Sequence, residues 1–192
     1  MPAEKTVDQD WSFAAYRWMN AQLLGIPEYH IVDTADLLYI DRQADMLSKN
    51  TRQFIKGHPA NNALLWGARG TGKSSIIKAQ LQQFKDEGLC LVEVSKKEAE
   101  NLFEIISTLS INDRKYIIYM DDLSFESDDE SYKALKATLE GSIQAQPGNV
   151  LIYATSNRRH LMPESMQDNL DSGIIDGELH LSDAIEEKIS LS

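Results

Sequence analysis

The run Gly67-Ala68-Arg69-Gly70-Thr71-Gly72-Lys73-Ser74-Ser75 carries the strongest chemical pattern in the chain. Its spacing, G-x-x-x-x-G-K-[ST], lets a glycine-bent backbone turn successive N–H groups and the positive end of a helix toward a phosphate chain. Lys73 would then place a point charge on the outer phosphates. The Ser74 hydroxyl would offer a hard oxygen to the Mg²⁺ that travels with them. A second pattern follows at Tyr116-Ile117-Ile118-Tyr119-Met120-Asp121-Asp122, where an apolar run delivers a carboxylate at the C-terminal end of a strand, the place where ligands of open α/β sheets sit. Asp121 there can hold the metal opposite Ser74, and Asp122 is placed to polarise a water against the γ-phosphate. Glu126 is either a second candidate base or part of an acidic loop; Asp128, Asp129 and Glu130 read as that solvated loop. A third strand tip, Thr155-Ser156-Asn157, presents an amide suited to orienting the attacking water or sensing the γ-phosphate. Arg158 and Arg159 beyond it either pair with acidic residues downstream or contact a neighbour's nucleotide.

These groups need elements to hold them, and the apolar pattern supplies a set. Short buried-type runs at 63–66, 90–94, 116–120 and 150–155 alternate with segments of helical period. One helix carries Leu47 and Phe54 ahead of the first of these strands. Ile77, Leu81 and Phe84 mark another that Gly88 can end, and Ala99, Leu102, Phe103, Ile106 and Leu109 mark the next. Tyr132, Leu135 and Leu139 mark one more. This alternation predicts a three-layer α/β fold, a parallel sheet covered on both faces. Upstream, Asp10 is read as the cap of a helix carrying Trp11, Ala15 and Trp18, closed by Gly25 and Pro27. The expected organisation is a helical arm over 1–30, a core over 31–160 and an acidic irregular segment over 161–192.

Composition narrows the function. The chain has 192 residues, one domain's worth, with 19 basic against 30 acidic residues and a net charge of −11. Such a surface repels phosphate backbones and anionic lipid, which disfavours a broad nucleic-acid groove. No apolar run approaches the roughly 18 residues of a membrane span. The lone cysteine, Cys90, sits in an apolar strand and reads as a buried thiol rather than a nucleophile, which suits a reducing cytoplasm. His30, His58, His160 and His180 are scattered without the spacing of a zinc site.

With these residues in place the sequence resembles the AAA+ superfamily of ring-forming ATPases. The longer runs at 40–43, 59–75, 120–126, 132–143 and 152–161 resemble a bacterial AAA+ family of unknown function, from Tyr16 to the last residue. The resemblance implies ATP and Mg²⁺ as cofactors, with Lys73, Asp122 and Asn157 in catalysis and an adenine contact from Leu38 to Ile40, chiefly Tyr39 and Ile40. The family usually has Gly where Tyr39 or Ile40 stands. Its members continue past Ser192 into a fifth strand and a helical lid, with the arginine finger and a second sensor arginine. A chain without these parts is expected to turn over very slowly, and to form a homo-oligomer only as the full-length protein. The strand at 63–66 would then be a sheet edge. The implied activity is ATP hydrolysis coupled to remodelling an unknown macromolecular client. A non-hydrolysing, nucleotide-dependent interaction module is the alternative, against which the intact Asp121-Asp122 pair speaks. A GTPase would need an Asn-Lys-x-Asp run, which 156–161 does not supply.

Overall fold

The computed structural model describes residues 9–32, 41–124 and 147–157. Nine elements alternate along these residues. Strands β1 (Ala15–Met19) and β2 (Gln22–Gly25) come first, then helix α1 (Asp41–Ile55), β3 (Ala63–Trp66), α2 (Lys73–Phe84), β4 (Leu89–Glu93), α3 (Leu102–Leu109), β5 (Lys115–Met120) and β6 (Val150–Ser156). The six strands form one sheet in the order β2-β1-β4-β5-β6-β3. Every pairing is parallel except that of β1 with β2.

The strands are apolar on both faces because both faces are covered. On one side Leu47 and Phe54 of α1 and Ile77, Leu81 and Phe84 of α2 pack against Ile117, Tyr119 and Tyr153. On the other, Leu102, Ile105, Ile106 and Leu109 of α3 pack against Val92, Ile118 and Ile152. Three layers result, as the alternation predicts. Gly88 does end the α2 segment, after a 3₁₀ turn over Lys85–Glu87, in the left-handed conformation that glycine enters without steric cost. Within α3 the sequence pattern misplaces one residue: Phe103 is 60% exposed, and Ile105 takes the buried place. A 3₁₀ segment over Lys96–Asn101 shifts the phase of the helical period there. The run at 132–139 lies outside the described residues.

The N-terminal helix is not formed. Residues 15–25 are a hairpin, and its β1 strand adds to β4, so the hairpin is part of the sheet rather than a separate arm. Trp11, Ala15 and Trp18 match a helical period, but the period-2 alternation of Ala-Tyr-Arg-Trp-Met governs. Tyr16 and Trp18 face the α3 side, and Ala15 faces the α1 and α2 side. Asn20 and Ala21 take positive φ, 53° and 56°, the two-residue reversal whose twist suits a hairpin. Asp10 accepts from the Ser12 N–H at 2.9 Å, closing a turn rather than capping a helix. Arg114 fastens the incoming segment, donating to the carbonyls of Trp11 and Phe13 and to the Tyr16 hydroxyl. Gly25 is required by closeness: a Cβ there would stand 2.0 Å from the Phe13 ring.

Two outcomes test this part of the fold. Gly25→Ala forces the Phe13 ring out of its place, and overpacking of this kind costs about 1–3 kcal/mol, read as an earlier urea midpoint. Cys90 is fully buried, and burial pushes its thiol up to about 11. A water-soluble maleimide at neutral pH should leave it unmodified in the native protein and label it in denaturant. Rapid native labelling would contradict the burial of β4.

Candidate functional site

The sheet register sets the site. Met120 pairs with Ala154, so the next step along each strand brings Asp121 level with Thr155. The Thr155 hydroxyl donates to Asp121 Oδ1 at 2.6 Å and accepts the Asp122 N–H at 2.9 Å. From the first turn of α2, the Ser74 hydroxyl donates to the same Oδ1, also at 2.6 Å. One carboxylate oxygen therefore joins the tips of β5 and β6 to the start of α2.

Between β3 and α2 the chain turns through Gly67, Gly70 and Gly72. Gly70 and Gly72 have φ of 81° and 84°, with Gly72 capping α2. A side chain at Gly70 would meet nothing within 4 Å, so backbone freedom rather than crowding calls for glycine there. Thr71 steadies the turn, its hydroxyl donating to the Ala68 carbonyl at 2.9 Å. Lys73 crosses the turn, and its Nζ donates to the carbonyls of Gly67 at 2.9 Å and Ala68 at 2.7 Å and to Asn157 Oδ1 at 3.3 Å. Asn157 Nδ2 in turn donates to Asp122 Oδ1. Asp122 itself has φ of 52°, a left-handed conformation that Asp tolerates better than longer or β-branched residues.

Electrostatics divides these groups. Burial lowers the Lys73 pKa from its usual value, against the opposing pull of Asp122 and Asp121. At Asp121 burial acts to raise the pKa, but the hydrogen bonds from Ser74 and Thr155, the nearby Tyr119 hydroxyl and the charge of Lys78 outweigh it, and the carboxyl is held below its ordinary 3.8.

The structure thus brings Lys73, Ser74, Asp121, Asp122 and Asn157 into one hydrogen-bonded cluster beside the Gly67–Gly72 turn. Arg69 is exposed within that turn, and Ser75 follows Ser74 into α2. Tyr39, Ile40, Glu126, Arg158 and Arg159 lie outside the described residues. Thr155 and Lys78 carry weight in the site that the sequence patterns did not assign to them. The signal for Thr155 was its place at the strand end; that for Lys78 was its position one helical turn after Ser74. Ser74 and Asp121 together present the hard oxygens that a small divalent cation takes, so the residues fit Mg²⁺.

A family model described as protein of unknown function (DUF815) matches residues 11–192. The chain belongs to this family. No functionally curated protein matches the sequence. Among solved structures, the Aeropyrum pernix ORC1 protein in complex with DNA is similar at 17% identity and a TM-score of 0.50, over 69% of this chain and 41% of that one. The Thermotoga maritima RuvB Holliday junction branch migration motor is similar at 12% identity and a TM-score of 0.45, over 66% of this chain and 42% of that one. The chain thus spans less than half the length of either protein. The ORC1 likeness shows that this DUF815 chain has the same α/β fold. Within that fold no helix of the described residues is long and apolar enough to cross a membrane.

Thr155→Val tests the carboxylate bridge. The change keeps the shape, removes one donor to Asp121 and leaves the Asp122 N–H without its acceptor, at a cost of about 1–3 kcal/mol. Because the Asp121 pKa is depressed on folding, its contribution is present above 3.8 and is lost as pH falls through the lower folded value. The stability gap between wild type and variant, measured by urea unfolding, should therefore narrow below about pH 4.

Proposed function

We propose that this DUF815 chain binds ATP with Mg²⁺ and hydrolyses it, as the nucleotide-binding core of an AAA+ type ATPase. The single observation that carries this reading is the pairing of Ser74 Oγ with Asp121 Oδ1 at 2.6 Å, beside a glycine turn crossed by Lys73. A carboxylate and a hydroxyl held together next to a lysine and a helix N-terminus form the combination that receives a metal-bound polyphosphate. Bound there, Mg²⁺ would neutralise charge on the phosphate oxygens.

Each residue has a defined task in that reading. Lys73 exchanges its carbonyl contacts for the outer phosphates. The backbone N–H groups from Ala68 to Ser74 surround the phosphate chain, and Ser74 and Asp121 hold the metal. Asp122 accepts the proton of the attacking water. Asn157, tied to both Asp122 and Lys73, fixes the carboxylate's direction and links it to the phosphate-binding lysine. Tyr39 and Ile40 are proposed to meet the adenine. The client on which hydrolysis would act is a macromolecule. The DNA held by the A. pernix ORC1 protein does not transfer readily to this chain, whose net charge of −11 opposes a broad phosphate-binding surface.

Thermal unfolding with Mg²⁺-ADP or Mg²⁺-ATP tests binding. Ligand at a hundredfold its dissociation constant adds about 2.7 kcal/mol, a shift of several degrees, and Lys73→Ala should abolish most of it. A shift with GTP but none with adenine nucleotides would overturn the base assignment. For hydrolysis, Asp122→Asn should keep the thermal shift while turnover falls about 100-fold or more. Equal turnover in the two proteins would move the base elsewhere, Glu126 first.

A further inference from the structure

The α2 face of β5 holds a buried polar group behind the cluster described above. Tyr119 stands two residues before Asp121, on the same side of the strand, and packs with Ile77 and Leu81 of α2. It is 1% exposed, and its hydroxyl completes no hydrogen bond of normal geometry, although the Ser74 hydroxyl and the Asp121 carboxylate lie close enough to act on it. A buried phenol in an apolar setting usually finds a partner, because an unpaired one costs free energy that phenylalanine would not. The unpaired oxygen lies where two groups of the cluster act on it. Burial raises its pKa, the Ser74 hydroxyl opposes that rise and the Asp121 carboxylate adds to it. Lys78, one turn after Ser74 on α2, places its Nζ 5.7 Å from the centre of the Tyr119 ring. Ser74, Lys78, Tyr119 and Asp121 thus share the seam between α2 and β5.

We propose that Tyr119 is a positioning residue for the divalent cation, its buried phenol serving the Ser74–Asp121 pair as a hydrogen-bond partner when the metal engages that pair. The inference rests on the reading of Ser74 and Asp121 as the metal's protein oxygens. Asp121 Oδ1 already accepts two hydroxyls, from Ser74 and Thr155. A Ser74 oxygen that lends a lone pair to a cation keeps its proton directed at a carboxylate, and that carboxylate is also drawn toward the metal. A further donor beside it limits how far it can rotate. Partners of this kind, one layer behind the ligands, commonly tune metal affinity by 10- to 100-fold. Phenylalanine would fill the same apolar space and lack only this function.

The experiment uses the full chain, a fluorescent ADP analogue and two variants, Tyr119→Phe and Lys73→Ala. Nucleotide affinity is measured in EDTA and across a Mg²⁺ titration, with Mn²⁺ binding followed by electron paramagnetic resonance. Tyr119→Phe is expected to leave affinity in EDTA within twofold of wild type, to raise the Mg²⁺ and Mn²⁺ half-saturation about tenfold, and to melt no lower than wild type without nucleotide. Unchanged metal half-saturation would overturn the positioning role and leave the ATPase reading standing. A markedly lower melting temperature without nucleotide would also overturn it, by showing that the phenol is paired in the resting protein. Wild-type protein that binds the analogue no better than Lys73→Ala, with no response to Mg²⁺, would overturn the functional reading itself and this inference with it.

Discussion

Two hydroxyl groups converging on one carboxylate oxygen hold the functional end of this molecule together. Ser74 comes from a helix, Thr155 from one strand and Asp121 from the end of its neighbour, and none of them is placed by local sequence alone. The bridge forms only if β5 and β6 are in register and α2 packs on the correct face. Its two short, charge-assisted bonds are stronger than neutral ones, which suits a junction that must hold three segments against their own conformational entropy. Asp122 and Leu123 then return to β6, through the Thr155 hydroxyl and the Thr155 carbonyl, so the loop after β5 leaves along a defined path.

The register itself depends on a core with two unlike faces. Four of the largest fully buried side chains are tyrosines: Tyr16, Tyr116, Tyr119 and Tyr153. A tyrosine in a sheet core whose hydroxyl is paired, as in three of these, fixes position more narrowly than leucine does, because the hydroxyl meets a partner as well as a space. Tyr153 meets Asn50 and Thr51 of α1, Tyr116 meets Asn112, and Tyr16 meets Arg114 and the Phe13 N–H. A slip of one residue would turn each hydroxyl into the opposite layer. Register is thus specified by polar tips inside an apolar sheet, and the site inherits that precision.

The central strands, α1, α2 and the glycine turn were legible because they have strong periods and unambiguous punctuation. Gly88, for instance, marks its chain reversal by a conformation that few other residues share. The hairpin at 15–25 was not, because Trp11, Ala15 and Trp18 fit a helical period by coincidence. What settles the matter is long-range: β1 lies against β4, more than 70 positions later, as Ala15 pairs with Leu91 and Arg17 with Glu93. The site was read in the same uneven way. Lys73, Ser74, Asp121, Asp122 and Asn157 sit in patterns tied to strand ends and could be named from the sequence. Thr155 acts through Asp121 across the sheet and Tyr119 lies in the seam between β5 and α2, and a linear reading has no access to either.

The left-handed backbone at Asp122 bears on how such a site can change over generations. Glycine, asparagine and aspartate enter that region at the least cost, so geometry narrows the choice at this position before acidity does. A longer acid would meet a conformational penalty there, which favours aspartate over glutamate at this step. The same filter leaves one exit open. Asparagine keeps the backbone and the shape and removes the negative charge, so, on the proposed ATPase reading, a lineage could silence turnover here by a single conservative replacement while retaining the fold and nucleotide binding.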